Sequence, residues 1–187
     1  MDTKNKISRR KFLSLSLLGV GGVALISLNP FGKSIQSNWR YLTNEEGVLF
    51  DALAEQIIPT DESMGARDAG ATNFIDKQLM GPYIRYQETY RKGLKAIQET
   101  CKTNYKKRFE EMEWEDQTTF LQTMEAGKMK GSKWENGFDK EFFELIRSHT
   151  MQSFYGSPRH GANKNNVSYK MMKLDYPVII GQNRYKI

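Results

Sequence analysis

The chain is short of the residues on which most metal and redox sites are built: 187 residues contain one cysteine, Cys101, and two histidines, His149 and His160. A single thiol excludes an internal disulfide framework and every multi-cysteine metal or iron–sulfur site, and no Cys-x-x-Cys-His is present to attach haem. Cys101 therefore reads as a small apolar packing residue. Also missing are a Gly-x-Gly-x-x-Gly dinucleotide fingerprint, a Walker loop, a Gly-x-Ser-x-Gly elbow and a His-Glu-x-x-His pair. No window alternates apolar and polar residues convincingly enough to build a sheet before the tail, so the expected fold is all-α.

Surplus charge is also scarce where it would matter for nucleic acid. The formal net charge is +6, but Lys4, Lys6, Arg9, Arg10 and Lys11 against Asp2 put four of those charges into residues 1–28. The remaining +2 is too weak a field for a surface that tracks phosphates. No nucleic-acid partner is expected.

What the N-terminus does hold is an address. Ser8, Arg9, Arg10, Phe12 and Leu13 form a basic segment with a paired arginine that opens a glycine-diluted apolar run from residue 12 to 28. This is the arrangement of a twin-arginine export signal. As a helix the run would span about 26 Å, just under the roughly 30 Å of bilayer hydrocarbon, which leaves a membrane tether as the rival reading. Residues 1–34 are thus expected to be a signal or anchor and residues 35–187 one helical domain of about five to seven short helices. The twin-arginine route carries folded cargo, so the twin-arginine translocase is an expected partner and the periplasm the expected destination.

In the body, Thr43 and Glu46 form a capping box ahead of an apolar stripe, Leu49, Leu53 and Ile57, which Pro59 ends. Asp61, Glu62 and Asp68 lie in a loop without the ligand spacing of a calcium site. A second helix over residues 73–80 buries Phe74, Ile75 and Leu79 and stops at Gly81-Pro82. Tyr83, Tyr86, Tyr90, Leu94, Ile97 and Cys101 then step by three or four residues, giving a helix whose tyrosine stripe is either core packing or a docking face. Trp114 opens a further helix, and Asp139 is a plausible cap for another, on which Phe142, Leu145, Ile146 and His149 share a face. From Val167 onward, Met171, Met172, Leu174 and Tyr176 to Ile180 read as an extended arm lying on something else.

Residues 149–163 draw the most attention. They hold both histidines together with Phe154, Tyr155, Pro158, Arg159 and Asn163. Gly156, Ser157 and Pro158 should end the helix carrying His149 and turn the chain into a displayed loop. His149, Arg159 and His160 could in principle make an acid–base or metal site. Yet eleven residues separate the histidines, no carboxylate accompanies them in the loop, and His149 on an apolar face reads first as a hydrogen-bonded core histidine.

The twin-arginine start, the Leu53-Ala-Glu-Gln-Ile-Ile-Pro-Thr-Asp61 stretch, Asp68-Ala-Gly-Ala71 with Asn73-Phe-Ile-Asp76, and residues 149–163 together resemble the small (gamma, "subunit 3") subunit of gluconate 2-dehydrogenase-type complexes. The resemblance covers nearly the whole chain and is weakest between Lys95 and Lys140. It implies a non-catalytic chain without a cofactor of its own. Its partner would be an FAD-dependent large subunit of the glucose-methanol-choline type, often with a c-type cytochrome as a third, haem c-bearing subunit. It further implies that this chain carries the export signal for the flavoprotein and supports its folding and stability. A partner interface is then expected at Tyr83, Tyr86, Tyr90, Phe154, Tyr155, Pro158, Arg159, His160, Asn163 and Tyr176.

Overall fold

A computed structural model describes residues 39–174 of the chain. The signal residues Ser8, Arg9, Arg10, Phe12 and Leu13, and Tyr176 in the tail, lie outside them. Among the described residues there are six α-helices and no strand. None of the helices is long and apolar enough to cross a membrane.

Helix α1 (Asn44–Ile57) starts at the capping box that the sequence announces: Thr43 Oγ1 accepts from the Glu46 N–H at 3.2 Å, and Glu46 Oε2 accepts from the Thr43 N–H at 2.9 Å. Leu49, Phe50, Leu53 and Ala54 form its buried stripe. The helix stops at Ile58, whose backbone is extended, because proline at the next position disfavours helical geometry in the residue before it. Ahead of α1, the buried Asp76 carboxylate fixes the entering chain by accepting the N–H groups of Arg40, Tyr41 and Leu42 at 2.8, 2.8 and 3.0 Å.

Helix α2 (Ala71–Leu79) is entered through Gly70, whose φ of +91° is available to glycine and strained for side-chain-bearing residues. The tyrosine stripe does not lie on one continuous helix. Tyr83 precedes a 3-10 turn at Ile84–Tyr86, and α3 (Gln87–Asn104) begins only after it. Gly81-Pro82 breaks α2, and the N–H groups of Tyr83 and Ile84 are drawn back to Gln78 and Gly81 before the helix can restart.

Helices α4 (Trp114–Glu125), α5 (Phe138–Tyr155) and α6 (Val167–Met171) complete the body. Two sequence readings are corrected here. Gly137, not Asp139, occupies the cap position of α5, and the buried Asp139 carboxylate instead accepts the N–H of Met129 at 2.9 Å. Residues 167–171 are helical rather than extended, because Asn163 Oδ1 accepts the Ser168 N–H at 3.0 Å and anchors the first turn.

Helix α5 is the centre of the core and packs against α1, α2, α3, α4 and α6. It buries Phe138, Phe142, Phe143, Ile146, His149 and Phe154 among other residues. Each such large apolar side chain contributes about 1.5–3 kcal/mol. The α3–α5 crossing is close because Gly93 has no side chain; a Cβ there would sit 2.4 Å from the Phe142 ring. Rings then succeed one another from Trp134 to Phe138, Phe142, Tyr90 and His149, with neighbouring centroids 5.8–6.1 Å apart.

Candidate functional site

That line of rings ends in the first candidate group. His149 lies between two near-parallel tyrosines, Tyr83 at 3.9 Å and Tyr90 at 5.9 Å between centroids, with Tyr86 edge-on at 5.2 Å. Its Nδ1 is 2.9 Å from the Tyr90 hydroxyl. Burial, and then the charge of Arg85, bring the imidazole from 6.5 down to about 4. Burial likewise holds the Tyr90 phenol well above its ordinary value. The group is therefore neutral near pH 7 and hydrogen-bonded within itself.

Its outer rim is different. Tyr83 and Tyr86 are half-buried, Tyr83 donates to Gln152 Oε1 at 2.5 Å, and the Arg85 guanidinium covers the Tyr86 ring at 4.7 Å. Ile84, between the two tyrosines, is 62% exposed, and Met80, Met151 and Tyr155 also present apolar surface. Large apolar side chains held on ordered elements are the usual anchors of protein interfaces.

The second candidate group is the loop after α5. Its backbone is clamped from both sides: Asn163 Nδ2 donates to Gly156 O at 2.8 Å, Asn73 Nδ2 donates to Gly161 O at 2.7 Å, and the Lys164 N–H reaches Ala69 O at 3.2 Å. Gly161 is needed for this seat; its φ is +103°, and a Cβ would lie 2.8 Å from Lys77 Nζ and 3.0 Å from Asn73 Nδ2. The loop is thus bolted to the turn before α2 and to α2 itself. Arg159 and His160 stand exposed at its tip, with Arg159 Nε donating to His160 Nε2 at 3.1 Å.

The structure divides the residues expected at a partner interface. Tyr83, Tyr86, Tyr155, Pro158, Arg159 and His160 keep accessible surface. Tyr90, Phe154 and Asn163 do not: each is at most 1% exposed, so Tyr90 and Phe154 pack into the core and Asn163 locks the loop from within. His149 is engaged by Tyr90 while His160 pairs with Arg159, so the trio weighed as an acid–base or metal site does not share a hydrogen-bond network. Among the described residues, no group of three or more His, Cys, Asp or Glu side chains is placed to hold a metal. The buried Cys101 thiol is pushed up to about 12, first by desolvation and then by Glu110, so it is inert as a nucleophile near neutral pH.

Asn73 and Asp76 stand in the sequence as part of a stretch that carries the resemblance, without a role, and Gly93 carries no signal; the parts all three play depend on contacts across long sequence separations. A cleft of about 300 Å³ between α1 and α3, lined by Thr43, Glu46, Arg91, Lys95, Gln98 and Lys102, was also unforeseen. Ion pairs Arg91–Glu46 and Lys95–Glu99 tie its lining charges together. None of the expected interface residues among the described ones lines it.

Among the described residues, two of the stretches that carry the resemblance meet directly, and segments beside them tie the third, residues 53–61, to the same region. The Ala66 N–H bonds Ile58 O at 2.9 Å, Thr72 donates to Asp51 on α1, and Asn73 holds Gly161. No curated protein and no solved structure matches the chain. A family model described as Gluconate 2-dehydrogenase subunit 3 matches residues 44–175.

Proposed function

Because the chain belongs to the gluconate 2-dehydrogenase subunit 3 family, we propose that it is a non-catalytic small subunit of a periplasmic sugar or sugar-acid dehydrogenase complex. It grips an FAD-dependent large subunit of the glucose-methanol-choline type, supports that subunit's folding and stability, and brings it through twin-arginine export by means of Arg9 and Arg10. Electrons from the flavin pass to a c-type cytochrome in the same assembly.

The observation that carries this reading is the match over residues 44–175, which spans all six helices. Two features of the site support it. His149 is desolvated, neutral and bonded to Tyr90, an arrangement suited to rigidity rather than to exchanging protons with a substrate near pH 7. Around it, Met80, Ile84, Met151 and Tyr155 offer apolar surface on a framework already ordered, which keeps the entropic cost of docking low.

Expression of the large subunit with and without this chain tests the proposal. Export and activity should both depend on co-expression, and equal values in the two cases would overturn it. Replacing Arg9 and Arg10 together by lysine should hold both proteins in the cytoplasm, since ammonium groups do not reproduce guanidinium geometry. Metal analysis and a dehydrogenase assay on the purified chain alone provide the converse check: a bound metal or turnover without a partner would favour an independent site built on His149, Arg159 and His160.

A further inference from the structure

The 30 residues from Leu145 to Leu174 contain no aspartate or glutamate, but they contain Arg147, Arg159, Lys164, Lys170 and Lys173. Arg147 is neutralised within the fold by Glu125 and Glu144, at 2.8 and 2.5 Å. Arg159, Lys164, Lys170 and Lys173 form no ion pair among the described residues, nor does Lys77, whose ammonium packs against Gly161. Elsewhere cations and carboxylates are interspersed along the chain, and several are paired: Arg67 with Glu55 and Asp68, Arg91 with Glu46, Lys107 with Glu113, Arg108 with Glu110, and Lys95 and Lys133 both with Glu99. Others, such as Arg85, Lys92 and Lys102, form no ion pair among the described residues either, so the mark of residues 145–174 is that they carry no carboxylate at all. Asp51 contributes to the field at Lys164, but it is half-buried and bonded to Thr72.

The backbone that carries these cations is held in place. The 3-10 turns at Pro158–His160 and Lys164–Asn166 pack on each other, the second runs directly into α6, and Asn163, Asn73 and Ala69 clamp the backbone between them. Beside them Met171, Met172 and Leu174 are exposed, and Met171 Sδ accepts from Ser63 Oγ at 3.1 Å. Like charges gathered on an ordered surface repel one another, and a facing surface of opposite sign removes that repulsion.

We propose that residues 156–174, with Lys77, form a basic docking face for an acidic surface on the large subunit, with Met171, Met172 and Leu174 as its apolar contacts. This rests on the reading of the chain as a partner-binding subunit, and it adds a second contact region, of different chemistry, to the rim around Tyr83. The cations steer and orient the encounter, and the methionines, being flexible and polarisable, fill the contact.

The test uses the full chain, the purified flavin-bearing large subunit, and a triple variant Arg159→Glu, Lys164→Glu, Lys170→Glu. Wild-type association should slow as salt is raised from about 50 to 500 mM, because that range shortens the screening length severalfold. The triple variant should associate about tenfold or more slowly at low salt and lose that salt dependence. Lys133→Glu, which alters a cation already paired, should bind like wild type. A triple Gln variant with an unchanged unfolding midpoint should show a smaller loss of the same kind, separating charge from misfolding. If the large subunit binds wild type and the triple Glu variant equally well, the docking face is refuted while the partner-binding reading stands. If wild type fails to bind the large subunit at all, both fall. Binding of wild type, but not of the variant, to vesicles rich in anionic phospholipid, with large-subunit binding unchanged, would overturn the proposal in favour of a membrane surface.

Discussion

The Tyr90 hydroxyl lies 2.9 Å from His149 Nδ1, joining α3 to α5 where neither residue has more than 4% of its surface exposed. The pair sits within stacked rings, so the bond is shielded from water and its loss is not made good by solvent. Tyr90→Phe keeps the ring contacts and removes one partner, leaving Nδ1 unsatisfied. Chemical denaturation should show a loss of about 1–3 kcal/mol with an unchanged m value. His160→Ala, at an exposed position, should stay within about 0.5 kcal/mol of wild type.

Burial of His149, with the charge of Arg85 beside it, makes stability depend on pH. His149 titrates at about 4 in the folded chain against 6.5 for the unperturbed group. Between those values the unfolded chain binds more protons, so the stability gained from a neutral imidazole is complete above pH 6.5 and is lost as pH falls toward about 4. Asp51 contributes with the opposite sign nearer 3.8, since burial raises its carboxyl. The difference in unfolding free energy between wild type and His149→Gln isolates the histidine and should shrink steadily from pH 6.5 to 4. A difference that does not vary with pH would contradict the assignment.

Asp76→Asn tests the anchor of the entering chain. One carboxylate accepts three backbone N–H groups, from Arg40, Tyr41 and Leu42, whereas an amide presents only one acceptor oxygen. Thermal unfolding should show a loss of about 1.5–3 kcal/mol. Proteolysis near residues 39–42 should quicken in parallel.

Gly93→Ala sets helix propensity against packing. An exposed helical site would gain about 1 kcal/mol from the change. Here the new methyl would meet the Phe142 ring at 2.4 Å, and overpacking costs typically 1–3 kcal/mol. A net destabilisation in urea unfolding is expected, and stabilisation would mean that α3 and α5 can separate freely.

Ile84→Asp separates docking from folding. The side chain is 62% exposed, so the unfolding midpoint should hardly move. Capture of the large subunit on immobilised chain should weaken by about tenfold or more, the effect of removing one apolar anchor at an interface.

Local signals in the sequence were strong where one segment decides its own conformation. The capping box at Thr43 and Glu46, the stop before Pro59, the break at Gly81-Pro82 and the three- and four-residue apolar spacing were all legible, because each depends on neighbours within one or two turns. The buried, hydrogen-bonded character of His149 followed from its apolar face. Tyr83 and Tyr90 look equivalent in a periodic stripe, however, and only the 3-10 turn between them sends one to the rim and the other into the core. Asp139 has the right residue type for a cap, but Met129, ten residues away in sequence, claims its carboxylate.

Composition and spacing alone determined that the described body is helical, because a period near 3.6 with capped ends leaves the backbone no better way to pair its amides while burying one face. They also singled out residues 149–163. Tertiary structure decided which of those residues face outward. Asn163 and Phe154 turn inward and Arg159 and His160 outward because Gly161 and Asn73, 88 residues apart, meet at 2.7 Å and fix the loop's seat, a contact between two chain segments that neither encodes by itself.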